Sequence, residues 1–372
     1  MNKKVLFVFG TRPEAIKMCP IIKKIKKNIY FDTVVCTTGQ HREMLDQVLD
    51  IFEVQPDFDL DIMKQDQDLF DITTQIMLSM KLVIDKVKPD LLIVHGDTTT
   101  AFAAAVAAFY KKVPIGHVEA GLRTFNVSSP FPEEFNRHVI SIIADLHFAP
   151  TQDAYNNLIK ENIASRHIYI TGNTAIDALE TTIREDYEDD NLKWSSESKL
   201  LLVTAHRREN IGKPMRNMFR AIKRIVNENK DVKVIYPVHL NPKVRKIAEE
   251  EFKGCNKIRL IEPLDVVAFH NYMAHAYLIL TDSGGIQEEA PAIGKPVLVM
   301  RETTERPEGI KAGTLRLVGT EEKNIYDNIQ NLLNNKKDYE SMSTAKNPYG
   351  DGHASEYIIR HIEKYFNEEN EK

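Results

Sequence analysis

The chain has 372 residues, 42% hydrophobic and 28% charged, with a formal net charge of -5, a pI of about 6.2 and a mean hydropathy of -0.34. That balance excludes a disordered or fibrous chain, and its mild acidity excludes a broad nucleic-acid-binding surface. The length exceeds the roughly 250–300 residues at which single cores stop growing, so two domains are expected. The longest apolar run, Ala101 to Tyr110, is too short to span a bilayer, so no membrane insertion is expected.

From the amino terminus, "KKVLFVFG" lacks both the apolar length and the small-residue cleavage site of a secretory leader, which predicts a cytoplasmic protein. Short apolar, β-branched runs then alternate with helix-period segments. In order they are "VLFVF", "TVVCTT", "LLIVHG", "IGHVEA", "LHFAPT", "IYITG", "LLLVTAH", "KVIYPV", "IRLIEP", "LILTDS", "PVLVM" and "TLRLVG". Near-continuous apolar strands joined by crossover helices mean parallel sheets covered on both faces. Twelve strands are many for one sheet, and the polar stretch "REDYEDDNLKWSSESK" at 184–199 interrupts the rhythm. The pattern therefore predicts an α/β chain of two doubly wound domains, with ligands bound outside the carboxyl ends of the strands. Cys19, Cys36 and Cys255 are odd in number and widely spaced, which favours buried thiols over a disulfide framework or a zinc knuckle.

The first strand end carries "GTRPEAIK". Gly10 permits a tight turn, Pro13 suits the first helical position, and Arg12 and Lys17 flank the helix start. This fits a phosphate site, or else an ordinary strand–helix turn with a surface Arg and Lys. "LLIVHGDTTTAFAAAV" ends a strand at His95, Gly96 and Asp97, where Asp97 is a natural N-cap for the helix that follows. Glu119 closes "PIGHVEAGLR" and needs a partner or a ligand, since burying a carboxylate unpaired is unfavourable. Glu133 and Glu134 suit the first turn of "PEEFNRHVISII", where acids complement the helix dipole.

In the second half, "LLLVTAHRREN" delivers His206, Arg207 and Arg208 from a strand end, an arrangement suited to a phosphate or carboxylate partner. "LILTDSGGIQEEAPAIGKP" places Ser283, Gly284 and Gly285 where backbone can approach a pyrophosphate, with Glu288 or Glu289 available to ribose hydroxyls. "TTERPEG" brings Arg306 to the same rim. No metal-ligand spacing and no G-x-G-x-x-G after a strand occurs, so neither a metal nor a redox cofactor is expected, and the carboxylates call for acid–base work.

Together "GTRPEAIKM", "GDTTT", "HVEAGLRT", "PEEFNR", "TAHRREN", "LTDSGGIQEEAP", "GKPVLVMRETTERPE" and "AGTLRLVG" resemble the non-hydrolysing UDP-N-acetylglucosamine 2-epimerases. The blocks stand in family order over nearly the whole chain, which makes the resemblance specific. It implies a glycosyltransferase-B-like fold with two Rossmann-like domains facing a cleft. The expected domains are 1–172, with a carboxyl-terminal helix at 355–372 packing back on it, and 173–354. It also implies interconversion of UDP-N-acetylglucosamine and UDP-N-acetylmannosamine without a cofactor, in a homodimer that feeds cell-surface polysaccharide or capsule synthesis. The route would be elimination of UDP to 2-acetamidoglucal and re-addition with protonation of the opposite face of C2, which requires several carboxylates at one sugar. A hydrolysing epimerase or a UDP-sugar glycosyltransferase of the same architecture stands as the alternative.

By position, Asp97, Glu119, Glu133 and His206 match the family's catalytic set. Arg12, Lys17, Phe269, Ser283, Gly284, Gly285, Glu289 and Arg306 match its nucleotide-sugar contacts. Gln40, His41, Gln67, Arg207 and His239 resemble a second, activating nucleotide-sugar site found in some bacterial members. Four departures stand out. Leu264 replaces a Gln of some members, "TAH" replaces "TGH", and Glu43 and Asp66 replace a Gln and an Arg of the activated members, the last exchanging a phosphate partner for a repulsive charge.

Overall fold

The structure is a computed structural model, and it describes residues 2–39, 42–64 and 66–370. The first sheet contains β1 (Lys3–Phe9), β2 (Phe31–Thr37), β3 (Phe58–Asp59), β4 (Leu91–His95), β5 (Ile115–Val118), β6 (Leu146–Ala149) and β7 (Ile168–Ile170), in the order β3-β2-β1-β4-β5-β6-β7. The second contains β8 (Lys199–Thr204), β9 (Val232–Pro237), β10 (Ile258–Ile261), β11 (Leu278–Thr281), β12 (Val297–Val299) and β13 (Leu315–Leu317), in the order β10-β9-β8-β11-β12-β13. Every neighbouring pair is parallel. All twelve expected strands form. The thirteenth, β3, is two residues long, and no periodicity in so short a segment announces it.

Strand order reverses between β1 and β4 in one sheet and between β8 and β11 in the other. At such a point the loops after adjacent strands diverge to opposite faces and leave a crevice. The sheets are apolar on both faces because helices cover both. Leu6, Val8, Leu92 and Val94 pack with Ile76, Met80 and the alanines of the helix Thr99–Tyr110. In the second sheet Leu201, Val203, Val234 and Tyr236 pack with Phe219, Ile222 and Ile225 of the helix Lys213–Glu228.

The chain divides into two compact units, one built from residues up to Ala178 together with those from Tyr349 onward, the other from Leu179 to Pro348. The return of the carboxyl-terminal segment to the first unit has identifiable causes. Asp177, buried, accepts the Ala354 and Ser355 N–H groups at 3.1 and 2.7 Å and so fixes the start of the helix Ala354–Asn370. Ile358, Ile362 and Phe366 of that helix are buried, and the helix lies against Arg12–Ile25. Gly172 and Gly350, both at positive φ, let the two chain segments cross closely, a Cβ on Gly172 falling 3.1 Å from the Gly350 Cα.

The turn after β1 depends on Gly10. A Cβ there would lie 1.9 Å from the Thr38 Oγ1 and 2.7 Å from the Thr100 Oγ1, two buried hydroxyls bonded to each other at 2.9 Å. Gly10→Ala is therefore expected to destabilise the protein by about 1–3 kcal/mol in chemical denaturation, the scale of overpacking a closed site. A change below about 0.5 kcal/mol would show that this turn yields freely.

Candidate active site

In the first unit the candidate residues gather where β1, β4 and β5 end. Thr11 caps the helix Arg12–Ile25, and Glu14 completes a capping box, so Pro13 occupies the second helical position rather than the first. The Glu14 carboxylate is fully buried. It accepts the Gly10 and Thr11 N–H groups at 3.1 and 2.8 Å and the Thr98 hydroxyl at 2.7 Å, while burial pushes its pKa upward. This residue, which sequence reasoning passed over as part of a helix start, ties the β1 turn to the β4 turn.

That tie settles the capping of the next helix. Thr98, not Asp97, caps Thr99–Tyr110, its hydroxyl accepting the Ala101 N–H at 3.0 Å. Asp97 is thereby released from the capping role its sequence position suggested. Its carboxylate lies 3.5 Å from the Arg137 guanidinium. Burial is the largest influence on its pKa and drives it up to about 6; Arg137 and Lys17 oppose the rise, and the charges of Glu119 and Glu133 add to it. Asp97, Glu119, Glu133, Lys17 and Arg137 thus share one electrostatic neighbourhood.

Glu119 follows β5 with φ at 62°, an uncommon conformation for a side-chain-bearing residue. It forms an ion pair with Lys17, accepts the Asn173 side-chain amide at 3.1 Å, and has the His95 Nε2 3.7 Å away. Burial drives the His95 pKa down to about 4. Gly96, at φ 64°, keeps the space beside the Glu119 carboxylate open, since a Cβ there would come within 3.7 Å of Oε1. Asn173 arrives from the segment after β7 and was not anticipated; its only signal was a polar residue following a strand end.

The two adjacent glutamates of "PEEF" divide. Glu134 is buried and accepts the Thr124 and Phe125 N–H groups at 3.0 Å while pairing with Arg137 at 3.0 Å. Arg123, its side chain wholly buried, grips Glu161 with two bonds of 2.7 Å. Together these hold the loop after β5 and leave Glu133 at the helix start beside Asp97.

In the second unit His206 and Arg207 follow β8, and Asp282 and Ser283 follow β11, which are neighbours in the sheet. The His206 ring stacks on His239 with centroids 5.3 Å apart. Burial lowers the His206 pKa and the Asp282 carboxylate raises it. Gly285 has φ at -61°, so its turn does not need glycine for its own backbone. A Cβ on Gly284 would instead point at the Arg207 and Arg306 guanidinium groups, 3.9 and 4.0 Å away. Small residues beneath two cations leave room for an anion.

Of the two glutamates in "QEEAP", Glu288 is buried and pairs with Arg306. Glu289 lies 3.6 Å from the His270 Nε2, with its Oε1 3.7 Å from where a Gly285 Cβ would stand. His270 is itself anchored through Nδ1 to the Thr182 hydroxyl at 2.7 Å. The Arg306 loop is fastened by the Thr304 hydroxyl donating to Gln287 at 2.6 Å and accepting the Arg306 N–H at 3.0 Å. Phe269 is half-buried on the helix Val266–His275.

The residues of the expected second nucleotide-sugar site fare differently. Gln40 and His41 lie outside the described residues. The Gln67 side chain is used internally, donating to the Ile62 carbonyl and accepting the Lys64 N–H. Arg207 and His239 stand beside Gly284 and His206. Among the described residues no group of three acidic, His or Cys side chains is placed to hold a metal ion, and no helix is long and apolar enough to cross a membrane.

Burial of Asp97 generates a testable consequence. Its carboxyl ionises near 3.8 when exposed and at about 6 in the fold. The destabilisation is therefore absent below 3.8, grows as pH rises towards 6, and is constant above. Asp97→Asn is expected to raise the melting temperature of the ligand-free protein at neutral pH and to have little effect near pH 4. An equal change at both pH values would contradict this account.

The family described as UDP-N-acetylglucosamine 2-epimerase matches residues 23–363. The UDP-N-acetylglucosamine 2-epimerase of Bacillus subtilis (strain 168) is 57% identical over 359 residues, covering 96% of this chain and 94% of the relative. A crystal structure of a UDP-N-acetylglucosamine 2-epimerase superposes with a TM-score of 0.93 at 54% identity, over 99% of this chain and 97% of the other. The Neisseria meningitidis enzyme, solved bound to UDP-GlcNAc, superposes with a TM-score of 0.84 at 48% identity, over 97% and 100% of the two chains. With two parallel sheets of the glycosyltransferase-B-like type and this similarity along nearly its full length, the chain belongs to the UDP-N-acetylglucosamine 2-epimerases and is an isomerase.

Proposed function

We propose that the chain epimerises C2 of UDP-N-acetylglucosamine reversibly, by elimination of UDP and its re-addition to 2-acetamidoglucal held on the protein. The observation that carries this reading is the shared neighbourhood of Asp97, Glu119 and Glu133, in which burial and like charge push the Asp97 pKa up to about 6. A carboxyl poised there both accepts and returns a proton near neutral pH, which suits a general acid–base. The C2–H of the sugar is not next to a carbonyl. Departure of UDP from C1 gives the ring oxocarbenium character and acidifies that hydrogen, so a base completes the elimination and leaves a C1–C2 double bond. Returning UDP to C1 while an acid protonates the other face of C2 gives the epimer.

In this reading Arg306 and the Ser283–Gly285 turn hold the diphosphate, with Glu289 on the ribose and Phe269 flanking the base, while in the first unit Lys17 pairs with Glu119 and Arg12 opens its helix. The open space above Gly284 between two guanidinium groups supports the diphosphate assignment, as does the UDP-GlcNAc bound in the Neisseria meningitidis structure. Proton NMR in heavy water with UDP-N-acetylglucosamine and no added cofactor is expected to show UDP-N-acetylmannosamine bearing deuterium at C2. Retained hydrogen would sink the elimination route, and accumulating free N-acetylmannosamine would favour the hydrolysing alternative. Glu119→Gln and Glu133→Gln are each expected to lower turnover by about 100-fold or more.

A homodimer is part of the same proposal. The helices Leu69–Val87, Thr99–Tyr110 and Glu133–Ile143 pack side by side, and they expose Phe70 (81%), Leu78 (68%), Leu82 (70%), Phe109, Tyr110 and Ile142. Phe70, Leu78 and Leu82 fall on one helical stripe, and an apolar surface of this kind marks a protein–protein interface. A Leu78→Glu, Leu82→Glu double variant is expected to sediment as a monomer while the unaltered protein sediments as a dimer. A monomeric unaltered protein would remove the proposal.

A further inference from the structure

Asp282 is the first residue after β11 and is completely buried. A carboxylate in that position needs donors on every side. Its oxygens accept the His206 N–H at 3.1 and 2.9 Å, the Arg207 N–H at 2.9 Å and the Asn210 side-chain amide at 3.0 Å. The Arg207 Nε returns to the Asp282 carbonyl at 3.3 Å, and the Asn210 amide also reaches the Met300 carbonyl at 3.4 Å, past the end of β12. The Asp282 carboxylate and the Asn210 amide together therefore link three strand-end segments. Among the described residues no Lys or Arg side chain pairs with it. The His206 imidazole faces it instead, with Nδ1 3.6 Å from Oδ1. One face of that imidazole is covered by His239.

We propose that Asp282 is a positioning residue for the epimerisation, orienting the His206 imidazole so that Nδ1 faces the carboxylate and Nε2 is the nitrogen offered to the substrate, while the same carboxylate holds the Arg207 turn against the Ser283–Gly285 turn. The proposal rests on the reading of His206 as a catalytic group. Ring orientation by a buried carboxylate matters because a free imidazole carries its proton on either nitrogen and rotates, so only a fraction of its states are productive. The groups that face His206 are Asp282 and Glu209, which raise its pKa, and His239 and Arg207, which together with burial lower it. Removing the charge of Asp282 leaves the lowering influences in excess.

The test uses the full-length enzyme. In the unaltered protein, nitrogen-15 NMR at about pH 8, where an imidazole is neutral, is expected to show His206 with its proton on Nδ1, the resonance being assigned by its loss in His206→Asn. A proton on Nε2 would overturn the proposal, and this measurement needs no Asp282 variant to fold. Asp282→Asn is expected to move the His206 titration to lower pH and to reduce kcat by about 10-fold or more, with a smaller change in KM. In the His206→Asn background the same substitution should cause no further loss of kcat, whereas independent, multiplying losses would show that Asp282 acts other than through His206. Should His206→Asn alone keep normal turnover, the catalytic reading of His206 fails by itself, and the proposal falls with it.

Discussion

Parallel pairing is the constraint on which everything else in this molecule depends. A parallel neighbour cannot be reached by a hairpin, so each strand is followed by a crossover helix, and all strands of a sheet end on the same edge. The segments after β1, β4 and β5, far apart in sequence, are thereby brought together, as are those after β8, β11 and β12. Reversal of strand order at β1–β4 and β8–β11 opens space at these places. The candidate side chains follow those strands.

Within the first unit the central tension is electrostatic. Several carboxylates at one strand edge repel one another and lose solvation, and Asp97 responds with a pKa lifted to about 6. Lys17 and Arg137 keep the group from neutralising altogether, Lys17 by its pair with Glu119 and Arg137 by lying between Asp97 and Glu134. Glu14 and Glu134 belong to a different class although they are also buried acids. Their oxygens are filled by backbone N–H groups, so they brace turns and loops. What separates these two acids from Asp97 is the backbone donors they receive.

The second unit handles charge in the opposite sense. Arg207 and Arg306 both approach Gly284, and each is restrained, Arg207 by the Asp282 carbonyl and Arg306 by Glu288. Restraint of this kind lowers the entropy lost when a planar guanidinium grips an anion. The same economy appears around His206, where a buried carboxylate and a stacked imidazole limit how the ring turns.

The sequence by itself determined the strands and their parallel arrangement, because strands buried on both faces are written locally as apolar, β-branched runs whatever their partners. It did not announce β3, whose two residues exist as a strand only through pairing with β2. It pointed to Asp97 where Thr98 is the helix cap, and it did not separate Glu133 from Glu134 as the bracing acid. In each case neighbouring residues have the same local capability, and the choice was made by distant groups: Glu14 receiving the Thr98 hydroxyl, and Thr124 and Phe125 donating to Glu134. Asn173, Arg137 and Asp282 were invisible for the same reason. Each is an ordinary polar residue until folding sets it beside Glu119, Asp97 or His206, and that adjacency is a property of three-dimensional neighbours which no local pattern encodes.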